Sequence, residues 1–225
     1  MNLFKVKHIL FFVFLGYFSS LFHAQPISFD MEPLQTHYKP IDYNFPATVL
    51  DAAEDSLGAK YFATTSGVMV YDGRNWTKIK TNFRVLSLIS DSKGNIYLGG
   101  NGEIGTLITD EKGYLQYKSL WDEDQQVKMN NSAEEFRSIV EINDNIYFAS
   151  NKYLFVSNKD QSLKEIPLPF KYTDSKCKII FNVNEELFCS IHKQGLYVVK
   201  EGVFLLRKRI NPCLYIQTQL RIGYM

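Results

Sequence analysis

Three cysteines, four histidines and two tryptophans are few for a chain of 225 residues, and each scarcity excludes something. Cys177, Cys189 and Cys213 include no close pair of the CxxC kind that metal and redox sites use. Cys177 and Cys189 have two readings, a disulfide across neighbouring strands or a pair of small buried hydrophobes. His8 and His23 fall in the first 24 residues. That leaves His37 and His192, too few and too far apart for a metal centre. The GxSxG, HExxH and P-loop signatures are absent, and no spacing of carboxylates singles out an acid–base pair. No catalytic residue, metal or cofactor is therefore expected.

Strong charge of either sign is also lacking. Lys5 and Lys7 precede an apolar run from Ile9 to Phe22, the pattern of a secretory signal peptide with cleavage after Ala24. The run is shorter than the roughly 20 residues that span a bilayer. Removing residues 1–24 takes two of the 25 basic residues and none of the 24 acidic ones, leaving a net charge of −1. A nucleic-acid binder would carry a basic patch, so nucleic acid is excluded as a partner. Past residue 24 no stretch is long and apolar enough for a transmembrane helix, and any membrane crossing would lie in segments beyond this sequence. The expected location is the periplasm or the cell exterior.

What the chain does have is a weak internal repeat. Tyr61-Phe62-Ala63, Tyr97-Leu98-Gly99, Tyr147-Phe148-Ala149 and Leu187-Phe188-Cys189 share a large apolar residue, a second apolar residue and a small one. They recur at intervals of 36, 50 and 40 residues, close to the length of a propeller blade. Short β-rich runs surround each tag, separated by Gly, Asp and Asn turns. In the first unit they predict strands at Val49–Glu54, Lys60–Thr64, Val68–Tyr71 and Trp76–Lys80. The second gives Val85–Ser90, Asn95–Leu98, Ile104–Thr109 and Tyr114–Ser119. The third gives Ser138–Ile142, Asn145–Ala149, Tyr153–Ser157 and Ser162–Ile166, and the fourth Lys178–Val183, Glu186–Ser190, Leu196–Val199 and Val203–Leu206. No helical periodicity holds past residue 24. The expectation is an all-β β-propeller of four four-stranded blades, at about 36–81, 82–120, 136–168 and 176–206, with 207–225 an unassigned tail or the start of a fifth. A β-sandwich would explain the strands but not the recurrence of the tag.

The stretch Tyr61–Trp76, YFATTSGVMVYDGRNW, resembles the two-component regulator propeller repeat, and Asn95–Leu107, NIYLGGNGEIGTL, is similar to a blade of its Bacteroidetes branch, whose propellers carry a triple-tyrosine domain. The resemblance covers residues 36–150 well and 150–206 by general pattern. It implies a periplasmic sensor propeller with further blades, then a triple-tyrosine domain, a membrane helix and a kinase or helix-turn-helix output module. This sequence holds none of those later parts, so the resemblance implies only the sensor role: an incomplete ring that binds a small molecule, a glycan or a partner domain. A stand-alone secreted carbohydrate- or protein-binding propeller is the second reading, and a propeller hydrolase or lyase the third.

Within the best-matched motif, Tyr71, Asp72, Gly73 and Trp76 are expected to make a tight turn and its packing, not a ligand site. Binding is expected on loops, because scaffold loops carry function while strands carry packing. The longest connection without turn residues, Trp121–Glu135, offers Trp121 to stack on a sugar ring with Asp122 and Glu123 beside it; a solvated linker between blades is the bland alternative. Glu103 and Asp122 are the carboxylates to test for acid–base chemistry. Arg137 aligns with a Trp-Arg pair of the resembled family and either lines a central pocket or pairs with Glu134 or Glu135.

Overall fold

The computed structural model describes residues 36–39, 48–130, 133–158, 162–168, 177–192 and 194–208. The chain divides after Lys39 into two units, and everything below concerns the second. The signal peptide expected at 1–24 lies outside the described residues, as does the tail expected at 207–225 apart from Arg207 and Lys208, which the last strand takes in.

Among the described residues sixteen strands form four separate sheets, each an antiparallel meander in chain order. Blade 1 is β1 (Val49–Glu54), β2 (Lys60–Thr64), β3 (Gly67–Tyr71) and β4 (Trp76–Lys80). Blade 2 is β5 (Val85–Ser90), β6 (Ile96–Gly100), β7 (Ile104–Thr109) and β8 (Leu115–Ser119). Blade 3 is β9 (Ser138–Ile142), β10 (Asn145–Ala149), β11 (Leu154–Ser157) and β12 (Leu163–Ile166). Blade 4 is β13 (Cys177–Val183), β14 (Glu186–Ile191), β15 (Gly195–Lys200) and β16 (Val203–Lys208). A helix absent from the sequence reading, α1 (Glu123–Asn130), lies between blades 2 and 3.

The first strands pack side by side, β1 on β5, β5 on β9 and β9 on β13. This is the radial arrangement of a β-propeller. Among the described residues β13 packs on no further first strand, so the four blades form an arc of an incomplete ring.

Turn chemistry explains why the strands end where they do. Asp55, Asp91 and Asp110 each open a D-x-x-G turn, and each carboxylate accepts the backbone N–H groups two and four residues on at 2.7–2.9 Å. Asn143-Asp144 and Asn184-Glu185 turn their hairpins with positive φ at both residues, the geometry that suits the twist of the flanking strands. In the Tyr71–Trp76 motif, Asp72 Oδ1 accepts from the Arg74 and Asn75 backbone N–H groups, which holds its carboxyl below the usual range. The Tyr71 hydroxyl donates to Gly73 O, and the Trp76 ring sits 4.7 Å from that of Tyr71. The motif is a turn with its packing, as expected.

The core consists of three layers between blades. Tyr61, Val68, Val70 and Ile79 of blade 1 meet Leu88, Leu98 and Leu107 of blade 2. Ile104 of blade 2 meets Phe148 and Phe155 of blade 3, with Trp121, Met129 and Phe136 from the connection. Leu154 and Val156 of blade 3 meet Leu187, Cys189 and Tyr197 of blade 4.

One polar position staples each blade to the next. Asp51 in β1 accepts the backbone N–H of Leu88 at 2.8 Å. Ser87 in β5 donates to Phe136 O at 2.9 Å. Ser138 in β9 donates to Ile180 O and accepts from Ile180 N. The three are equivalent in register, opposite Ala63, Gly99 and Ala149. In blade 4 the equivalent pair is Ile179 and Ser190, so the repeated tag there is Phe188-Cys189-Ser190, one residue later than the sequence pattern suggests. Fully buried Cys189 lies opposite Ile180, while Cys177 lies opposite Ile191, so the register does not set the two cysteines across from each other.

Candidate functional site: the loop face between blades

In an antiparallel meander successive connections alternate between the two ends of the sheet. The β2–β3, β6–β7 and β10–β11 turns therefore share one face of the arc with the connections that link the blades. Four of the five candidate residues, Trp121, Asp122, Glu123 and Arg137, sit on these connections, and Glu103 lies in the β6–β7 turn of the same face.

Trp121 is buried against blades 2 and 3. It is 8% exposed, its indole Nε1–H donates to Gly102 O at 3.0 Å, and its ring meets Phe155 edge-on at 5.1 Å. Asp122 caps α1: its Oδ1 accepts the Gln125 N–H at 2.7 Å while Gln125 Oε1 accepts the Asp122 N–H. This is a capping box, and the segment D-E-D-Q was its legible signal. Glu123 is exposed in the first turn of that helix, where a negative charge suits the helix dipole. The expected ligand loop is thus a helix that seals the core between blades 2 and 3.

Arg137 pairs with Glu135, its Nε–H donating to Oε2 at 2.8 Å, with more than half of the side chain exposed. Of its two expected roles the ion pair is the one formed. Glu103 accepts from the Tyr117 hydroxyl at 2.7 Å, from the Ser119 hydroxyl at 3.2 Å and from the Gln126 amide. It fastens α1 to blade 2. Burial first, and then the adjacent Glu103 charge, hold the Tyr117 phenol far above its usual range.

Glu134, which the sequence offers only as a partner for Arg137, is instead a buried anchor. It is 4% exposed, accepts from the Ser150 hydroxyl at 2.8 Å and from the Lys152 N–H, and pairs with Lys152 Nζ at 3.1 Å. Its carbonyl accepts the Gly102 N–H. Among the described residues no buried side-chain polar atom lacks a hydrogen bond. Glu103, Asp122, Glu134 and Glu135 are committed to holding this face together.

Open space lies one blade over. A cleft of about 630 Å3 on the same face is lined by Thr65, Ser66, Lys80, Thr81, Asn82, Phe83, Arg84 and Asn101. Two glycines let the backbone shape it. At Gly67, with φ +130°, a Cβ would lie 2.1 Å from Ile79 O, so only glycine brings the Thr65-Ser66 turn against the end of β4. At Gly100 a Cβ would lie 2.4 Å from both Arg84 O and the Phe83 ring.

Tyrosines at the blade interfaces give a pH signature. Tyr61 is pushed up to about 12 by burial and by Asp55, and burial likewise raises Tyr97 and Tyr147. A phenol whose folded pKa exceeds its unfolded value near 10 stabilises fully below pH 10, and the contribution is lost as pH rises through the folded value. Stability is expected to fall between about pH 10 and 12, with delayed phenolate absorbance in the native state as the check.

No family model matches the chain, and no curated protein matches it in sequence. Solved structures match its backbone. The extracellular domain of the hybrid two-component system BT4673 from B. thetaiotaomicron gives a TM-score of 0.62 at 18% identity, over 82% of this chain and 24% of that one. The chain shares the fold of that domain. The extracellular domain of BT3049 from the same organism gives 0.52 at 16% identity, over 73% of this chain and 22% of that one. Virginiamycin B lyase from Staphylococcus aureus gives 0.56 at 18% identity, over 73% of this chain and 56% of that one. The chain spans about a quarter of the length of the extracellular domains it matches. The likeness agrees with the resemblance carried by Tyr61–Trp76 and Asn95–Leu107, and rests on backbone geometry. No helix among the described residues is long and apolar enough to cross a membrane.

Proposed function

We propose that this chain is an exported binding segment of a sensor propeller, which holds a ligand on its loop face without converting it. The observation that carries the reading is the division of labour on that face. Glu103, Glu134 and Asp122 are spent on structural bonds, while the cleft one blade over is lined by hydroxyl, amide and cationic side chains and by no carboxylate. Such a surface, on rigid strands, suits recognition more than acid–base chemistry, which needs a carboxylate positioned to exchange a proton with a substrate. The extracellular domains that share the fold belong to signalling proteins, which supports sensing; the lyase shares it too, and makes turnover the outcome to test.

The test is a thermal-shift screen of the purified chain against small molecules and oligosaccharides, with chromatography of each candidate after incubation. A ligand at about 100 times its Kd adds about 2.7 kcal/mol, a shift of roughly 5–11 °C for a domain of this size. A shift with the ligand recovered intact is expected; conversion of the ligand, abolished by Glu103→Gln, would overturn the reading.

A further inference from the structure

The outer strand of each blade is a sheet edge, and the edges are not alike. In blades 1 to 3 they are β4, β8 and β12. The exposed positions of these strands are Thr77, Lys78 and Lys80, then Gln116 and Lys118, then Lys164, all polar and mostly lysine. Lysine on an edge deters a further strand from adding to it, because pairing would bury the charge. β16 of blade 4 departs from that pattern. It reads V-F-L-L-R-K, with Val203, Leu205 and Leu206 exposed, and among the described residues it pairs with β15 alone. Val203 and Leu205 lie on one side of the strand and Leu206 on the other, so this edge is apolar on both sides.

Backbone geometry decides what such an edge can take. Glu201 and Gly202, both with positive φ, make the tight turn from β15 to β16, which leaves Lys200 and Val203 as a hydrogen-bonded pair. Bonded and non-bonded pairs alternate along antiparallel strands. Phe204, opposite Val199, and Leu206, opposite Tyr197, therefore turn their N–H and C=O groups to the free side. An extended strand is the partner that satisfies such a row. The charges at the two ends of β16 select its direction. Glu201 precedes the strand, while Arg207 and Lys208 close it. Adding an identical strand antiparallel brings the acidic end of each against the basic end of the other, with Leu205 opposite Leu205; adding it parallel would align like charges.

We propose that β16 is a dimerisation edge, pairing antiparallel with β16 of a second copy so that the two fourth blades become one continuous sheet. Phe204 of each strand then exchanges both of its backbone hydrogen bonds with Leu206 of the other, and the exposed Val203 and Leu205 side chains of the two copies form one row. Both copies use the same edge, so the contact is isologous and closes at a pair. The lysines of β4, β8 and β12 keep the other edges from extending it. The pairing engages no residue of the loop face.

Sedimentation equilibrium and amide hydrogen exchange of the full chain test it. Over about a hundredfold rise in protein concentration the chain is expected to pass from single copies to pairs, with the Phe204 and Leu206 N–H groups exchanging at least about tenfold more slowly in the pair. Leu206→Pro deletes an outward donor and leaves the ladder to β15 whole, which is where proline is tolerated in a sheet. It should weaken pairing at least about tenfold while the unfolding midpoint of the single chain stays within about 2 °C of the parent. Leu206→Lys, which copies the lysines of the other edges, should weaken pairing to the same degree and serves if proline disturbs the fold. Leu206 is not on the side of the sheet that Leu205 shares with Phe181 and Phe188, so variants that associate as tightly as the parent would place the contact on that face and overturn the edge. Pairs whose Phe204 and Leu206 amides exchange as fast as in single chains would overturn it too, as would a chain that stays single over the whole range.

Discussion

Replacing Trp121 with alanine is expected to cost about 3–5 kcal/mol of folding stability, the range for removing a large buried aromatic. The ring is packed against Phe136 at 5.7 Å and Phe155 at 5.1 Å, and its Nε1–H is the side-chain donor held by Gly102 O. Truncation opens a cavity between blades 2 and 3 and loosens α1 at its N-terminus. At about 2–4 °C per kcal/mol for a domain of 150–250 residues, the unfolding midpoint should drop by roughly 6–20 °C. Trp121→Phe keeps an aromatic ring in the site but loses the hydrogen bond and the volume of the second ring, so it should cost less than the alanine change, about 1–3 kcal/mol. A Trp121→Ala protein that melts like the parent but loses ligand binding would restore the surface role that the sequence suggested.

That contrast shows where sequence reasoning stopped. The sixteen strands among the described residues were legible to within a residue or two at most ends, because short β-rich runs between Gly, Asp and Asn turns mark them. The helix was not. It is a single eight-residue segment with one buried apolar side chain, Met129, while Val127 is 63% exposed, so no helical stripe existed to be read. The capping box at Asp122 and Gln125 was the one local cue. The burial of Trp121 is decided by Phe155, a residue of the next blade that no local pattern connects to it.

A one-residue shift in the fourth tag had a larger consequence. Side chains alternate across a strand, so moving the tag from Leu187-Phe188-Cys189 to Phe188-Cys189-Ser190 exchanges the faces of the sheet. Leu187 and Cys189 face blade 3, and Phe188 faces away from it. The Asn184-Glu185 turn pairs Val183 with Glu186 and so fixes this register, while the bulge between Cys177 and Ile179 matches those at Val49/Asp51 and Val85/Ser87. The cleft escaped the sequence for a similar reason: Lys80, Arg84 and Asn101 become neighbours only when two blades stand side by side.

The outward face of blade 4 should make the isolated chain self-associate. Phe181, Phe188, Val198 and Leu205 stand opposite one another across its four strands, with the two phenylalanine rings stacked at 5.6 Å. The corresponding rows in blades 1 to 3 end on Thr77, Lys118 and Lys164, and the staple position that is Asp51, Ser87 or Ser138 elsewhere is Ile179 here. Ile179, Val203 and Leu205 are 44%, 58% and 45% exposed. The centre of the face is covered, with Val198 fully buried and Phe181 and Phe188 partly so, but the exposed apolar residues around it favour association, as the uncapped ends of repeat proteins do. Size-exclusion chromatography with light scattering is expected to show species heavier than one chain. The double change Ile179→Asp and Leu205→Lys, which copies the polar positions of the covered blades, should shift the population to single chains without lowering the unfolding midpoint by more than about 2 °C, because both sites are surface positions. A monodisperse single chain with a sharp, high-temperature unfolding transition before any substitution would show that the face is already satisfied and that four blades stand alone.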